Sequence, residues 1–416
     1  MKLFSAILVL TASACALSAA GPFRLHSFQK LKLSDQFYCE GAHAGDFNRD
    51  GKMDVVIGPF VFVGPDFKER FEFRSAKTYD PGNYSDNFLT FTYDFNQDGW
   101  IDILVVDIPG KPACWYQNPQ GKEGHWTKYL IHEVVENESP TFGDITGDGK
   151  PELIFNTSGQ AGYAAPDWAN PTQPWKFHPV TSKDKKWQLY THGLGFGDVD
   201  GDGRSDLLEY TGWWKQPGSN SGDPLWAYQP VNLGEGGAQI LVYDFSGDGL
   251  ADIVTCLHPH QYGLAWFQQQ KQGEQRTFQK HVLMGKTNEE SPYGIKMTQI
   301  HAFDLVDMDR DGVMDFVTGK RWWAHKPPTD PESDAPAMLY WFRTHRLPGG
   351  DVDFVPYVID NDSGVGTQVI ATDLNGDQWP DVIVGNKKGC FVFLHQVREV
   401  SEAEWTQAQP KRTSGR

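Results

Sequence analysis

Asp198-Val-Asp-Gly-Asp-Gly-Arg-Ser-Asp-Leu-Leu-Glu209 carries carboxylates at positions 1, 3, 5, 9 and 12 and glycine at position 6. That is the EF-hand calcium pattern, a twelve-residue loop held between two helices. The text before it opposes a helix. Gly193, Gly195 and Gly197 precede the loop, and each glycine costs a helix interior about 1 kcal/mol relative to alanine.

The same nine-residue loop recurs at Asp46, Asp94, Asp144, Asp198, Asp244, Asp307 and Asp373, 46 to 66 residues apart. Position 12 holds glutamate only at Glu209; the other six loops have Ile57, Val105, Phe155, Thr255, Thr318 and Val384. Apolar, β-rich runs follow every loop, and similar runs such as FLTFTY, QILVY and TQVIAT precede several. Loops between two such runs are hairpin turns. A further pair of strands is visible in ACWYQNP and HWTKYLIH, GLAWFQQ and TFQKHVL, and MLYWFRT and VDFVPYVI. Four strands per repeat of about 50 residues are the period of a β-propeller blade, so the expected fold is an all-β, seven-bladed β-propeller. After Gly389 to Leu394 no fourth strand follows. Phe23 to Phe28 (FRLHSF) echoes WKFHPV and is expected to complete the last blade, removing an open edge.

Calcium is the expected ion, with ligands at positions 1, 3, 5 and 9: Asp46, Asn48, Asp50 and Asp54; Asp94, Asn96, Asp98 and Asp102; Asp144, Thr146, Asp148 and Glu152; Asp198, Asp200, Asp202 and Asp206; Asp244, Ser246, Asp248 and Asp252; Asp307, Asp309, Asp311 and Asp315; Asp373, Asn375, Asp377 and Asp381. These positions hold 23 of the chain's 54 acidic residues, so much of the net charge of −17 is loop charge. That charge argues against nucleic acid or an anionic membrane as partner. Residues 1–20 (MKLFSAILVLTASACALSAA) read as a secretory signal with cleavage before Gly21, which implies a secreted or periplasmic protein; lipid attachment at Cys15 is the alternative. No later run is long enough to span a membrane. Residues 21–396 form the propeller and 397–416 a polar tail. The remaining cysteines read as buried apolar side chains, with a Cys39–Cys390 bridge possible near the closure.

These loops and their spacing resemble the FG-GAP or VCBS repeat family, which includes the heads of integrin α-chains, over about residues 23 to 396. The resemblance implies a calcium-loop propeller, a fold that hosts adhesion modules, lectins and enzymes.

Residues five to eight positions before each loop should lie at one mouth of the central channel. They are Glu40, Asp86 or Asn87, Glu138, His192, Gln239, His301 and Gln368. The segments leaving the next strand should bring Asp107, His258, His260, Lys320, Arg321 and Lys387 to the same face, with Trp213, Trp214, Trp322 and Trp323 beside them. Such a set suits sugar recognition, because polar groups bond hydroxyls and indoles stack on ring faces. His192 and His301 are candidate ligands for a further divalent metal with Glu40 or Glu138, and Lys320, Arg321 and Lys387 for an oxyanion. GAHAGDFNRDG, THGLGFGDVDGDG, GLAWF and GVGTQ are similar to the propeller portion of fungal aldos-2-ulose dehydratase. By that resemblance the mouth would be a metal-assisted lyase site acting on keto-sugars, a His or carboxylate taking the proton and a metal or Lys/Arg holding the enolate. That enzyme also carries cupin domains, so its catalytic residues are not carried over one by one; His192, His301, Glu138, Glu40 and Lys320 are the catalytic candidates by their place at the mouth. Three functions follow: a carbohydrate-binding propeller, a sugar lyase, and a protein-interaction module using blade faces and insertions such as Ala324 to Ala337.

Overall fold

The computed structural model describes residues 23–413. The leader, its cleavage point and Cys15 lie outside the described residues. Contacts divide the chain into two units, Ser27–Gln396 with Pro410–Arg416, and Met1–His26 with Val397–Gln409.

The larger unit is all-β in a propeller arrangement of antiparallel sheets. Among the described residues there are five four-stranded sheets and one of eight strands. In the four-stranded sheets the strand entering the acidic loop lies at one edge with the strand leaving it beside it, as Leu89–Tyr93 and Asp102–Val106 show; in the eight-stranded sheet the two entering strands adjoin at the middle. Both neighbours of the opening loop are strands, Leu194–Gly197 and Asp206–Glu209, so the EF-hand is excluded. The three sequence-expected outer pairs form as Lys111–Gln117 with Thr127–Val135, Leu264–Gln272 with Gln275–Met284, and Leu339–Arg346 with Val352–Asp360.

The eight-stranded sheet arises where Leu194–Gly197 pairs in parallel with Gln239–Tyr243, through Leu194 with Gln239 and Gly195 with Ile240. Glycine makes that approach possible: a Cβ on Gly195 would lie 2.3 Å from the Ile240 carbonyl oxygen, and one on Gly197 2.7 Å from Val242 Cβ. The glycines that argue against a helix therefore let two inner strands meet. Another sheet runs Arg24–Ser34, Gly389–Glu399, Asp381–Asn386 and Ile370–Thr372.

Seven apolar clusters fill the spaces between successive groups of strands. Phe47, Val56 and Phe73 meet Ile103 and Trp126; further on, Phe245 and Trp266 meet Phe316 and Phe354. One cluster joins the chain's two ends, bringing Leu31, Tyr38 and Val55 against Ile383 and Val392. Trp115, Trp266 and Trp341 are fully buried, and truncating such a side chain to alanine costs about 3–5 kcal/mol.

Cys39, Cys114, Cys256 and Cys390 are buried free thiols, so the Cys39–Cys390 bridge is not formed. The smaller unit corrects the expected plain tail. Glu402–Ala408 is a helix whose N-cap Ser401 Oγ accepts from Glu404 N–H, and the Trp405 ring packs on Phe23 at 5.5 Å. The helix is short, and none in the described residues is long and apolar enough to cross a membrane.

Candidate functional site at the ends of the inner strands

The acidic loops share one hydrogen-bond scheme. In each, the position 1 carboxylate accepts from the N–H of position 6, as Asp46 does from Gly51 and Asp373 from Gln378. Position 5 accepts from position 7, as Asp98 does from Trp100. Position 9 is buried and its two oxygens reach in opposite directions. Asp102 accepts from Phe95 N–H in the loop and from Asn118 N–H, the residue just past the third strand Lys111–Gln117. Asp54, Asp206, Asp252, Asp315 and Asp381 repeat this arrangement. Glu152 departs, since both its backbone donors, Ile145 and Thr146, lie in the loop. Burial pushes the Asp102 carboxyl up to about 8, and those of Glu152 and Asp206 to about 7. Carboxylates with that much desolvation and too little counter-charge are the donor set a hard cation suits.

Two of the histidines singled out by spacing come together. His192 and His301, each six residues before a loop, lie with ring centroids 5.5 Å apart. His260 completes the group at 5.0 Å from both. One nitrogen from each of the three rings lies within 4.8 Å of the others. His192 Nε2, His260 Nδ1 and both ring nitrogens of His301 are buried without a hydrogen-bond partner. Burial, then His192, lowers His260 to about 4; burial, then Arg321, holds His301 well below the usual imidazole range. Lowered in this way, the His260 and His301 imidazoles are held in the metal-binding form, and three histidines leaving a position open are a known zinc geometry.

Two carboxylates and one guanidinium stand behind this group. Arg321 is 2% exposed, with Nη2 2.7 Å from Glu40 Oε2 and Nη1 3.1 Å from Glu138 Oε2. Glu138 Oε2 also lies 3.4 Å from His192 Nε2. Burial raises the Glu138 carboxyl, but His192 and Arg321 outweigh it and keep the group well below the usual carboxylate range. Lys387 faces the rings of Tyr84 at 4.6 Å and Trp323 at 5.7 Å.

His325 and Asp330 escape the sequence reading. Both belong to the insertion Ala324 to Ala337, whose text HKPPTDPESD carries no repeat signal. Asp330 Oδ2 lies 3.0 Å from His325 Nδ1 and 3.5 Å from His260 Nδ1, so the insertion folds against the histidine group.

Other expected residues serve the fold. Trp213 and Trp214 are 6% exposed and belong to apolar clusters, so they cannot stack on a sugar. Gln239 accepts from Phe303 N–H and donates to Thr367 O; Gln368 accepts from Ala42 and Thr90 N–H. Both amides staple inner strands together. Lys320 is buried and donates to Ser333 O, away from any open face. Asp86 is paired with Arg74, Asn87 accepts from Thr90, and Asp107 accepts from Ile108 N–H. His258 Nδ1 accepts from His260 and Gln261 N–H, and His258 borders a groove of about 820 Å³ with Glu235, Tyr262 and Lys280.

The FG-GAP-like repeat family matches residues 94–155, which hold the two acidic loops starting at Asp94 and Asp144. No curated protein matches the sequence. Among solved structures, the chain is similar to an Agrocybe aegerita lectin studied for specific recognition of non-reducing terminal N-acetylglucosamine. The two are 16% identical with a TM-score of 0.46, over 91% of this chain and 94% of the lectin. A Photorhabdus luminescens Tc holotoxin pore is 14% identical with a TM-score of 0.37, over 88% of this chain and 15% of that one.

Proposed function

We propose that this chain is an exported, calcium-stabilised propeller that binds carbohydrate at the converging ends of its inner strands, through a divalent metal held by His192, His260 and His301. The observation that carries the metal is the convergence of one nitrogen from each of the three rings within 4.8 Å, with both His301 nitrogens buried and lacking a hydrogen-bond partner. A polar atom buried without a partner costs about 1–3 kcal/mol, and a metal ion would satisfy one nitrogen of each ring. Around it, Glu138, Arg321 and Lys387 supply charge, and the half-buried Trp322 and Trp323 supply indoles.

The fold beneath this reading has seven blades, the last completed by Arg24–Ser34. Three findings support it: the eight-stranded sheet is held together at its middle by a short parallel contact, the sheet order sets Arg24–Ser34 beside Gly389–Glu399, and the seven apolar clusters link successive strand groups and return to the first. Calcium in the acidic loops and export by the leader belong to the same proposal.

Metal analysis after equilibrium dialysis against zinc or cobalt tests the centre, with one ion per chain expected in the wild type and none in His301→Ala. Calorimetry against a panel of mono- and oligosaccharides, with and without that ion, tests the ligand. Metal-independent sugar binding, or none at all, would sink this reading. EGTA should lower Tm if calcium occupies the loops.

A second reading, the keto-sugar lyase, is favoured by Glu138 standing beside the same metal position, 3.4 Å from His192 Nε2; the carboxylate, or His301 where it does not ligate the metal, is the candidate base. Either could take a proton next to a carbonyl. Growth of enone ultraviolet absorbance during incubation with keto-sugars separates the lyase from the binder.

A further inference from the structure

The seven loops differ in one respect that their chemistry explains. Position 3 is neutral in five of them, as Asn48, Asn96, Thr146, Ser246 and Asn375, and is aspartate in two, Asp200 and Asp309. The paired register between the second and third strands stops at position 10, and one residue follows next along the chain from that position's partner. Beside the neutral loops that residue is Val63, Gln117, Ala165, Gln268 or Leu394. Beside the two aspartate loops it is Lys215 and Arg343.

Those two cations enter the carboxylate groups. Lys215 Nζ contacts Asp200 Oδ2 and lies 2.9 Å from Asp202 Oδ2. Arg343 Nε contacts Asp309 Oδ2, and its Nη2 lies 3.2 Å from Asp311 Oδ2. The Asp200 and Asp309 side chains are each 9% exposed, while Lys215 and Arg343 are 36% and 24% exposed. Among the described residues no ion pair joins Lys or Arg to a ligand-position carboxylate of the other five loops, while Arg204 adds a more exposed pair to Asp202. In both loops the cation sits on the position 3 and position 5 carboxylate oxygens that a divalent ion would use.

We infer that Lys215 and Arg343 are built-in counter-ions that take the place of the divalent cation in the loops starting at Asp198 and Asp307, leaving five loops to take metal. The inference rests on the calcium reading only for its ion count; the charge compensation stands without it. A cation fixed by the chain cannot be removed by a chelator, so these two turns keep their shape when calcium is scarce. Fourfold carboxylate turns without that cation would repel themselves.

A mutant cycle in EGTA tests the compensation with no calcium present. Lys215→Met should lower Tm by a few degrees, and Asp200→Asn added to it should restore most of that loss, as should Asp309→Asn added to Arg343→Met. Calcium counting by native mass spectrometry tests the replacement. The wild type should bind five ions, and the Asp200→Asn/Lys215→Met double variant six, because its loop then matches the loop at Asp46. An unchanged Tm for Lys215→Met in EGTA, no recovery in the double variant, or seven ions on the wild type would each overturn the inference. If no calcium binds at all, the calcium reading fails and the EGTA cycle still decides the role of Lys215.

Discussion

Arg321 Nη2 lies 2.7 Å from Glu40 Oε2 although 281 residues separate them in sequence, and the same guanidinium holds Glu138. One cation therefore ties two buried carboxylates from separate inner-strand segments.

Arg321→Met should destabilise the protein by about 3–5 kcal/mol, because it strands two buried carboxylates without a partner. Urea unfolding measures the loss. Glu40→Gln and Glu138→Gln added to Arg321→Met should recover much of it, since the uncompensated charge is then gone.

Asp330 Oδ2 stands 3.5 Å from His260 Nδ1, behind the ring if its Nε2 takes the metal. A carboxylate behind a metal-ligating imidazole fixes its tautomer, and losing one typically costs about 10- to 100-fold in metal affinity. Asp330→Asn should weaken cobalt binding by that factor while retaining one site per chain, read by absorbance titration.

Glu209, the apparent twelfth ligand of the opening loop, is 1% exposed and accepts from Lys186 Nζ at 2.9 Å and Thr211 Oγ1 at 2.6 Å. Glu209→Gln should leave the number of bound calcium ions unchanged. It should cost about 1–3 kcal/mol of stability by upsetting a buried charged network.

Burial lowers the Lys320 and Lys387 amines to about 8 from an ordinary 10.5. Below pH 8 both folded and unfolded forms are charged, and burying the charge opposes folding. Between about 8 and 10.5 the folded amine is neutral while the unfolded one still holds a proton, so stability rises with pH by an amount on the order of 2 kcal/mol per lysine. Urea unfolding from pH 7.5 to 10.5 should show that rise, reduced in Lys387→Met.

The repeat made the strands, their order within each sheet and the loop geometry legible, because turn chemistry and β-rich runs are local signals. Counting back from each loop also found Glu40, Glu138, His192 and His301, since register fixes where a strand ends. It failed for Trp213 and Trp214, whose text matches an exposed aromatic pair equally well; their burial is decided by side chains of the neighbouring strands. Gln239 and Gln368 lie in the expected row, but the close approach of inner strands turns their amides onto backbone. Asp330 and His325 were illegible because an insertion has no period, and its contact with His260 exists only after folding.

The two-way carboxylate at position 9 also bears on motion. It ties the turn to the third strand of its own sheet or to the residues just past it, so neither can open alone, and hydrogen exchange should report them as one unit. The amides of Phe95 and Asn118, which share Asp102, should exchange at matched rates although 23 residues separate them. Where Glu152 bonds only within its turn, the third strand Gln160–Ala165 has no such tie and should exchange out of step with the turn.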